Sequence, residues 1–310
     1  MPRRLATIDL GTNTVRLLVV EVTDPSRWHT LDQDQAITRL GEGLVRSGVL
    51  SEAAIARTVS QVKTYCQKAE QFGSNEILLV ATSAVREAKN QTTILQEIEA
   101  ATGRTVRVVS GEEEAQLTFL GACYGLDPPT GTWVLMDIGG GSTEFILAEQ
   151  DRILGAISLQ LGVVPLVETF VRADPVDWTE YAILSASVET RLVHEIPQDF
   201  FARPLSGMIG TAGTVTALAA LDQRLEVYLS ERVQGYRLHR HRIEKLLAFL
   251  GSLRLDERAH LPCLEPGRAD LIIPGIAICL ETMRVFNLEH LTVSDYGLRE
   301  GILVERLRAM

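Results

Sequence analysis

The sequence predicts an α/β protein built from two duplicated domains. Three observations carry that reading. A strand–turn–strand pattern occurs twice, far apart in the chain. Each copy is followed by helices and strands in alternation, the pattern of a layered α/β architecture. The chain has 310 residues, 46% of them hydrophobic, enough for two cores.

The first copy reads Leu5-Ala-Thr-Ile-Asp9-Leu-Gly11-Thr12-Asn13-Thr14-Val-Arg16-Leu17-Leu18-Val19. The second reads Trp133-Val-Leu-Met-Asp137-Ile-Gly139-Gly140-Gly141-Ser142-Thr143-Glu144-Phe145-Ile146-Leu147. Aligning Asp9 with Asp137 also aligns Gly11 with Gly139, Thr14 with Ser142 and Arg16 with Glu144. Glycines let the backbone turn tightly and bring its N–H groups close to an anion. Hydroxyls add donors, and an Asp at a strand end suits a hydrated divalent cation. Two such hairpins facing each other would grip a phosphate from both sides. A strand comes after each turn, which argues against a P-loop and a dinucleotide fingerprint; both need a helix there.

The elements run in order. After the first hairpin comes a polar stretch, then Leu40-Gly-Glu-Gly43. Ser51 opens a helix with the apolar stripe Ile55, Val59, Val62, Cys66, Ala69 and Phe72, closed by Gly73. Residues 76–82 read as a buried strand, and Ser83 caps a short helix. Thr92 or Thr93 starts another helix ending at Gly103, and residues 105–109 form a strand. Gly111 leads into a helix over 112–124. Residues 126–131, Leu-Asp-Pro-Pro-Thr-Gly, are the clearest linker. Beyond the second hairpin a strand over 152–161 is expected, then helices over 163–171 and 176–196. A strand at 205–210 runs into Thr211-Ala-Gly213 and a helix over 215–221. Helices over 240–253 and 267–286, a strand at 290–294 and a closing helix complete the reading. The domains are expected at 1–125 and 126–297, with the closing helix, about 298–310, returning to the first.

The net charge is −10, whereas a general nucleic-acid binder is more often basic. A phosphate-rich ligand must then be held by local positive charge, backbone donors and a metal. The four cysteines are scattered without CxxC spacing, so neither a zinc site nor a disulfide framework is suggested. Asp9 and Arg16 interrupt the first apolar stretch, which is no signal peptide, and no run has the length of a membrane span. The cytoplasm is the expected compartment.

Asp9-Leu-Gly-Thr-Asn-Thr, Asp137-Ile-Gly-Gly-Gly-Ser-Thr-Glu144 and Gly210-Thr-Ala-Gly-Thr214 resemble the phosphate and nucleotide loops of the actin-like ATPase superfamily. Further segments make the chain resemble the exopolyphosphatase/guanosine pentaphosphate phosphohydrolase (Ppx/GppA) family. They are Val80-Ala-Thr-Ser-Ala-Val-Arg-Glu-Ala-Lys-Asn90, Ser110-Gly-Glu-Glu-Glu-Ala115, Ile157-Ser-Leu-Gln-Leu-Gly162, Val233-Gln-Gly-Tyr-Arg237, Arg268-Ala-Asp270 and Val293-Ser-Asp-Tyr-Gly-Leu-Arg-Glu-Gly301. The resemblance runs in order over nearly the whole chain. It implies two actin-like (ribonuclease H-like) domains with an interdomain cleft, in the short form without extra C-terminal domains. It implies Mg²⁺-dependent, Mn²⁺-tolerant hydrolysis of a terminal phosphate from inorganic polyphosphate or guanosine pentaphosphate, and a homodimer is compatible with it.

Carried over by motif, Glu114 matches the catalytic carboxylate, a general base for the attacking water. An acidic triplet at 112–114 would also stabilise a helix N-terminus without any catalysis. Asp137 joins Glu114 in the catalytic set, and Asp9, Asp137 and Glu144 are the expected metal ligands. Phosphate binding falls to Gly11, Thr12, Asn13, Arg16, Arg86, Gly139, Gly140, Gly141, Ser142, Gly210, Thr211, Gly213 and Arg268. The run Arg237, His239, Arg240, His241, Arg242 and Lys245 reads either as a basic track for a chain of phosphates or as an ordinary charged surface. Alternatives are a sugar or acetate kinase, which would lack the Glu114 helix motif, and a catalytically weak sensor of guanosine polyphosphates.

Overall fold

The computed structural model describes residues 3–24 and 27–310, which divide into two compact units. The first takes the chain up to Tyr124 together with Gly297–Met310, and the second is Gly125–Tyr296. In the first unit, β1 (Arg3–Leu10), β2 (Thr14–Asp24) and β3 (Arg27–Ile37) form an antiparallel meander. Then come α1 (Leu44–Ser47), α2 (Glu52–Gln71), β4 (Glu76–Ala81), α3 (Ser83–Glu87), α4 (Gln91–Thr102), β5 (Val106–Val108) and α5 (Gly111–Gly125). The sheet order is β3-β2-β1-β4-β5, with β1, β4 and β5 parallel.

The second unit repeats the plan. The meander is β6 (Thr132–Ile138), β7 (Thr143–Glu149) and β8 (Arg152–Leu159). It continues through α6 (Val163–Phe170), α7 (Trp178–Glu195), β9 (Gly207–Thr211), α8 (Ala212–Asp222), α9 (Ser230–Val233), β10 (Arg237–His239), α10 (Arg240–Ser252), α11 (Leu255–Ala259), α12 (Ile272–Val285) and β11 (His290–Val293). Its sheet reads β8-β7-β6-β9-β11, with β10 added at the edge. The strands β6, β9 and β11 are parallel. Strand order and directions match the first sheet position for position, so the fold is the duplicated α/β, actin-like arrangement.

The last helix, α13 (Leu298–Arg308), belongs to the first unit. Its Leu303 and Leu307 are buried with Leu5, Leu18 and Val20 of β1 and β2. Burying each leucine contributes about 1.5–3 kcal/mol. Arg306 Nε adds a bifurcated bond to both Glu76 carboxylate oxygens, at 2.8 and 3.0 Å.

The polar stretch after the first hairpin is the strand β3, contrary to its loop-like composition. It is an edge strand with Asp32, Gln33, Asp34 and Gln35 in its middle, and Lys68 of α2 bridges Asp32 and Asp34 at 2.8 and 2.9 Å. Charges on an edge discourage pairing with another chain. The helix expected from Gly267 starts later, at Ile272, after a 3-10 turn over Pro266–Arg268.

Candidate active site

In each unit the candidate residues gather at the C-terminal ends of the parallel strands. That edge is where open α/β sheets bind ligands. In the first turn the Gly11 N–H donates to the Thr14 carbonyl at 3.0 Å; in the second the Gly139 N–H donates to Ser142 at 2.9 Å. A Cβ on Gly11 would lie 3.0 Å from the Thr14 oxygen, and one on Gly139 2.8 Å from the Ser142 oxygen. Gly139 leaves no room for a side chain, and a Cβ on Gly11 would fit only tightly against the same carbonyl position.

The turns are held by their carbonyls. Thr38 and Arg39 donate their N–H groups to the Asn13 carbonyl, and Gly41 donates to Thr12. In the second copy Val163 and Val164 at the start of α6 donate to Gly139 and Gly140. Among the described residues, the backbone N–H groups of Thr12, Asn13, Gly140 and Gly141 have no protein acceptor. Carbonyls tied down and amides left over make an anion-binding concavity.

Cross-strand register gives each Asp a different partner. Asp9 faces Arg16, and Asp137 faces Glu144. Arg16 is half-buried and its side chain makes no hydrogen bond or ion pair to any described residue. Glu144 is 1% exposed and accepts a 2.6 Å hydrogen bond from Ser158 Oγ of β8, which fixes its carboxylate. The two copies thus place a cation and an anion at one structural position.

The N–H of Thr82 donates to the Leu10 carbonyl and that of Val109 to the Ala81 carbonyl, so the ends of β1, β4 and β5 lie side by side. Arg86, one turn into α3, sends Nη1 to the Val109 carbonyl at 3.0 Å and to Glu114 Oε2 at 2.8 Å. The acidic triplet separates into distinct roles. Glu112 is exposed. Glu113 caps α5: its Oε2 accepts from the Ser110 N–H at 2.8 Å, while its own N–H donates to Ser110 Oγ at 3.1 Å. The Ser110 backbone bond, then Arg107, holds the Glu113 carboxyl below its ordinary value. Glu114 is 7% exposed and turned toward Arg86.

In the second unit β9 ends at Gly210-Thr211, and Ala212 adopts a left-handed φ of 70°, an uncommon backbone for a residue with a Cβ. A Cβ on Gly213 would lie 1.8 Å from Arg268 Nη1, so the guanidinium rests directly on this glycine. Arg268 Nε also pairs with Glu265 at 3.0 Å. The basic run further on is partly neutralised: Arg240 pairs with Glu289 at 2.5 Å and Arg242 with Asp222 at 2.6 Å.

Among the described residues no three His, Cys, Asp or Glu side chains form a metal cluster. The donor set still suits Mg²⁺, which binds through one or two carboxylates plus phosphate oxygens and keeps its waters. Asp9 is buried at the end of β1, and the buried Asn13 Oδ1 beside the turn has no hydrogen-bond partner among the described residues. Both are oxygens fit to face a hydrated cation. No helix among the described residues is long and apolar enough to cross a membrane.

Sequence reasoning missed Gly41, Gly162 and Ser158 as supports of the site. A Cβ on Gly41 would lie 2.3 Å from Thr12 Cγ2, and one on Gly162 2.3 Å from the Gly140 oxygen. The common position of the two glycines, just beyond the third strand of each meander, was the available signal.

Known proteins share the sequence and fold of this chain. Exopolyphosphatase 2 of Mycobacterium tuberculosis is 31% identical over 314 residues, covering 96% of this chain and 97% of that protein. The crystal structure of the Aquifex aeolicus Ppx/GppA family member superposes with a TM-score of 0.83 at 32% identity, covering 100% of this chain and 99% of that one. An exopolyphosphatase from Cytophaga hutchinsonii superposes with a TM-score of 0.92 at 27% identity, over 99% of both chains. The profile of the Ppx/GppA phosphatase family matches residues 18–310, and with its two phosphate-type turns and its arginine-held Glu114 the chain belongs to that family of hydrolases.

Proposed function

We propose that the protein is a Mg²⁺-dependent exopolyphosphatase, removing the terminal phosphate of inorganic polyphosphate. The observation that carries the reading is the duplicated turn, whose carbonyls are tied down and whose amides are left to an anion. Phosphoryl transfer depends on in-line placement and charge neutralisation more than on covalent help. The amides of Thr12, Asn13, Gly140 and Gly141 and the hydroxyls of Thr12 and Ser142 bind phosphoryl oxygens. Arg16 adds positive charge opposite Asp9. Arg268, seated on Gly213, serves the same polyanion.

Asp9, Asp137 and Glu144 would hold Mg²⁺, which would supply charge neutralisation for the transferred phosphoryl group. Glu114 accepts a proton from water as the water oxygen bonds to the terminal phosphorus. The anhydride P–O bond breaks, and the shortened chain leaves with the bridging oxygen. Arg86 keeps the Glu114 carboxylate aimed. Two fixed bonds, to Val109 and to Glu114, let one guanidinium orient both the loop and the base.

The test is phosphate release from polyphosphate, guanosine pentaphosphate and ATP, measured side by side with Mg²⁺. Polyphosphate should be hydrolysed with the highest kcat/KM. A protein that ignores polyphosphate and hydrolyses the nucleotide would overturn the substrate assignment and keep the phosphoryl-transfer site.

A further inference from the structure

We propose that the C-terminal helix α13 is a positioning element for Glu114, acting through a glycine-to-glycine crossing with α5. The inference rests on the reading of Glu114 as the base. A Cβ on Gly121 of α5 would lie 1.9 Å from the Gly297 oxygen, and a Cβ on Gly301 of α13 would lie 1.7 Å from the Leu117 oxygen. Real Cβ atoms essentially never come within 3.0 Å of such atoms. The two helices touch backbone to backbone, and only glycine at both positions permits it.

That contact bears on the base through helix geometry. At about 100° per residue, Glu114 and Gly121 fall within about 20° of each other around α5, two turns apart. A shift at Gly121 therefore carries directly along the stripe that presents Glu114. The other end of the clamp is ionic. Arg107 of β5 donates Nη1 to Glu305 of α13 at 2.6 Å and Nη2 to the capping Glu113 of α5 at 3.2 Å. The start of α13 is fixed in turn: Glu300 Oε2 accepts from the Gly297 N–H at 2.9 Å, and Arg299 Nη1 donates to the Leu17 carbonyl at 3.1 Å. Crossing and clamp together set where α5 lies and how it is rotated.

The test is Gly301→Ala, made in the wild-type and in the Glu114→Gln background. The methyl must push the backbones more than about 1 Å apart, and misplacement of that size costs about 100-fold in rate. The expected result in the wild type is a 10- to 100-fold fall in kcat, on the order of a 1 Å misplacement, with KM for polyphosphate changed less than about three-fold. In the Glu114→Gln background the same change should leave residual turnover unaltered, because the group it displaces is already inactive. Equal losses in both backgrounds would show a merely structural effect and overturn the inference. Near-normal turnover in Glu114→Gln alone would instead overturn the reading of the base.

If Gly301→Ala does not fold, Arg107→Gln carries the test. Arg107 is a half-exposed residue outside the reacting groups. Its loss should lower kcat several-fold with KM and the unfolding midpoint nearly unchanged, again only when Glu114 is present. Unchanged kcat in Arg107→Gln would remove the ionic arm of the proposal and, with Gly301→Ala unfoldable, refute it.

Discussion

Glu113 and Glu114 are neighbours of identical chemistry, and their replacement by Gln should have consequences of very different size. Gln keeps the size of Glu114 and removes its ability to take a proton. Losing a general base costs two to four orders of magnitude in turnover, or about 3–5.5 kcal/mol in the barrier. Stability should change far less. The bond from Arg86 at 2.8 Å survives with a neutral acceptor, and Arg86 keeps both the Val109 carbonyl and Glu87, the latter at 3.3 Å. Exchanging a charge-assisted bond for a neutral one costs about 1 kcal/mol. Relief from burying a carboxylate offsets part of that. The unfolding midpoint should therefore fall by no more than about 2–4 °C. Glu113→Gln keeps an acceptor for the Ser110 N–H and weakens only an exposed pair with Arg107, worth at most about 1 kcal/mol. Its kcat should fall several-fold at most, the loss expected when Arg107 no longer ties α5 to α13. Initial rates of phosphate release and thermal unfolding of both variants decide the matter. Comparable losses in the two variants, or a larger loss at Glu113, would refute the division of labour.

Other contacts set further expectations. Arg16→Ala should raise KM for polyphosphate by roughly ten- to hundred-fold with little change in the unfolding midpoint, since a charge-assisted contact to an anion is worth about 1.5–3 kcal/mol and no described residue pairs with Arg16. Chelation with EDTA should abolish turnover and Mg²⁺ restore it; full activity in a metal-free assay would contradict the oxygen-ligand reading. The Arg306 bond holds the Glu76 carboxyl below its ordinary value of 4.5, so its stabilisation is full above that pH and is lost as pH falls through the lowered value. Wild type should thus lose more thermal stability than Glu76→Gln between pH 5 and 3, a range set by carboxylate titration, on the order of ~1 kcal/mol or less. Neutralising Arg240 and Arg242 should change KM less than two-fold at any chain length, because Glu289 and Asp222 already balance them; a loss growing with chain length would restore the basic track.

The two hairpins were legible because their signals are local. Gly11 and Gly139 meet carbonyls only three residues away, and the apolar runs around them mark the strands. β3 was not legible, since an edge strand carries charges such as Asp32 and Asp34 that composition reads as loop. Which member of the acidic triplet faces inward depends on where α5 begins, and the Ser110–Glu113 capping box sets that phase. The motif selected Glu114; the hydrogen bonds explain why its neighbour is excluded. Supports made across long stretches of chain were invisible. Arg268 on Gly213 and Ser158 on Glu144 depend on how distant segments pack, and neither leaves a periodic trace.

The placement of α13 also imposes an order on synthesis. Leu5, Leu18 and Val20 are translated well before their partners Leu303 and Leu307. At 5–20 residues per second, the stretch after Tyr124 takes about ten to forty seconds to translate. Through that interval the first sheet can pair its strands but cannot cover this face. The whole second unit is made before the first is finished, so the nascent first unit carries an open apolar patch until α13 arrives.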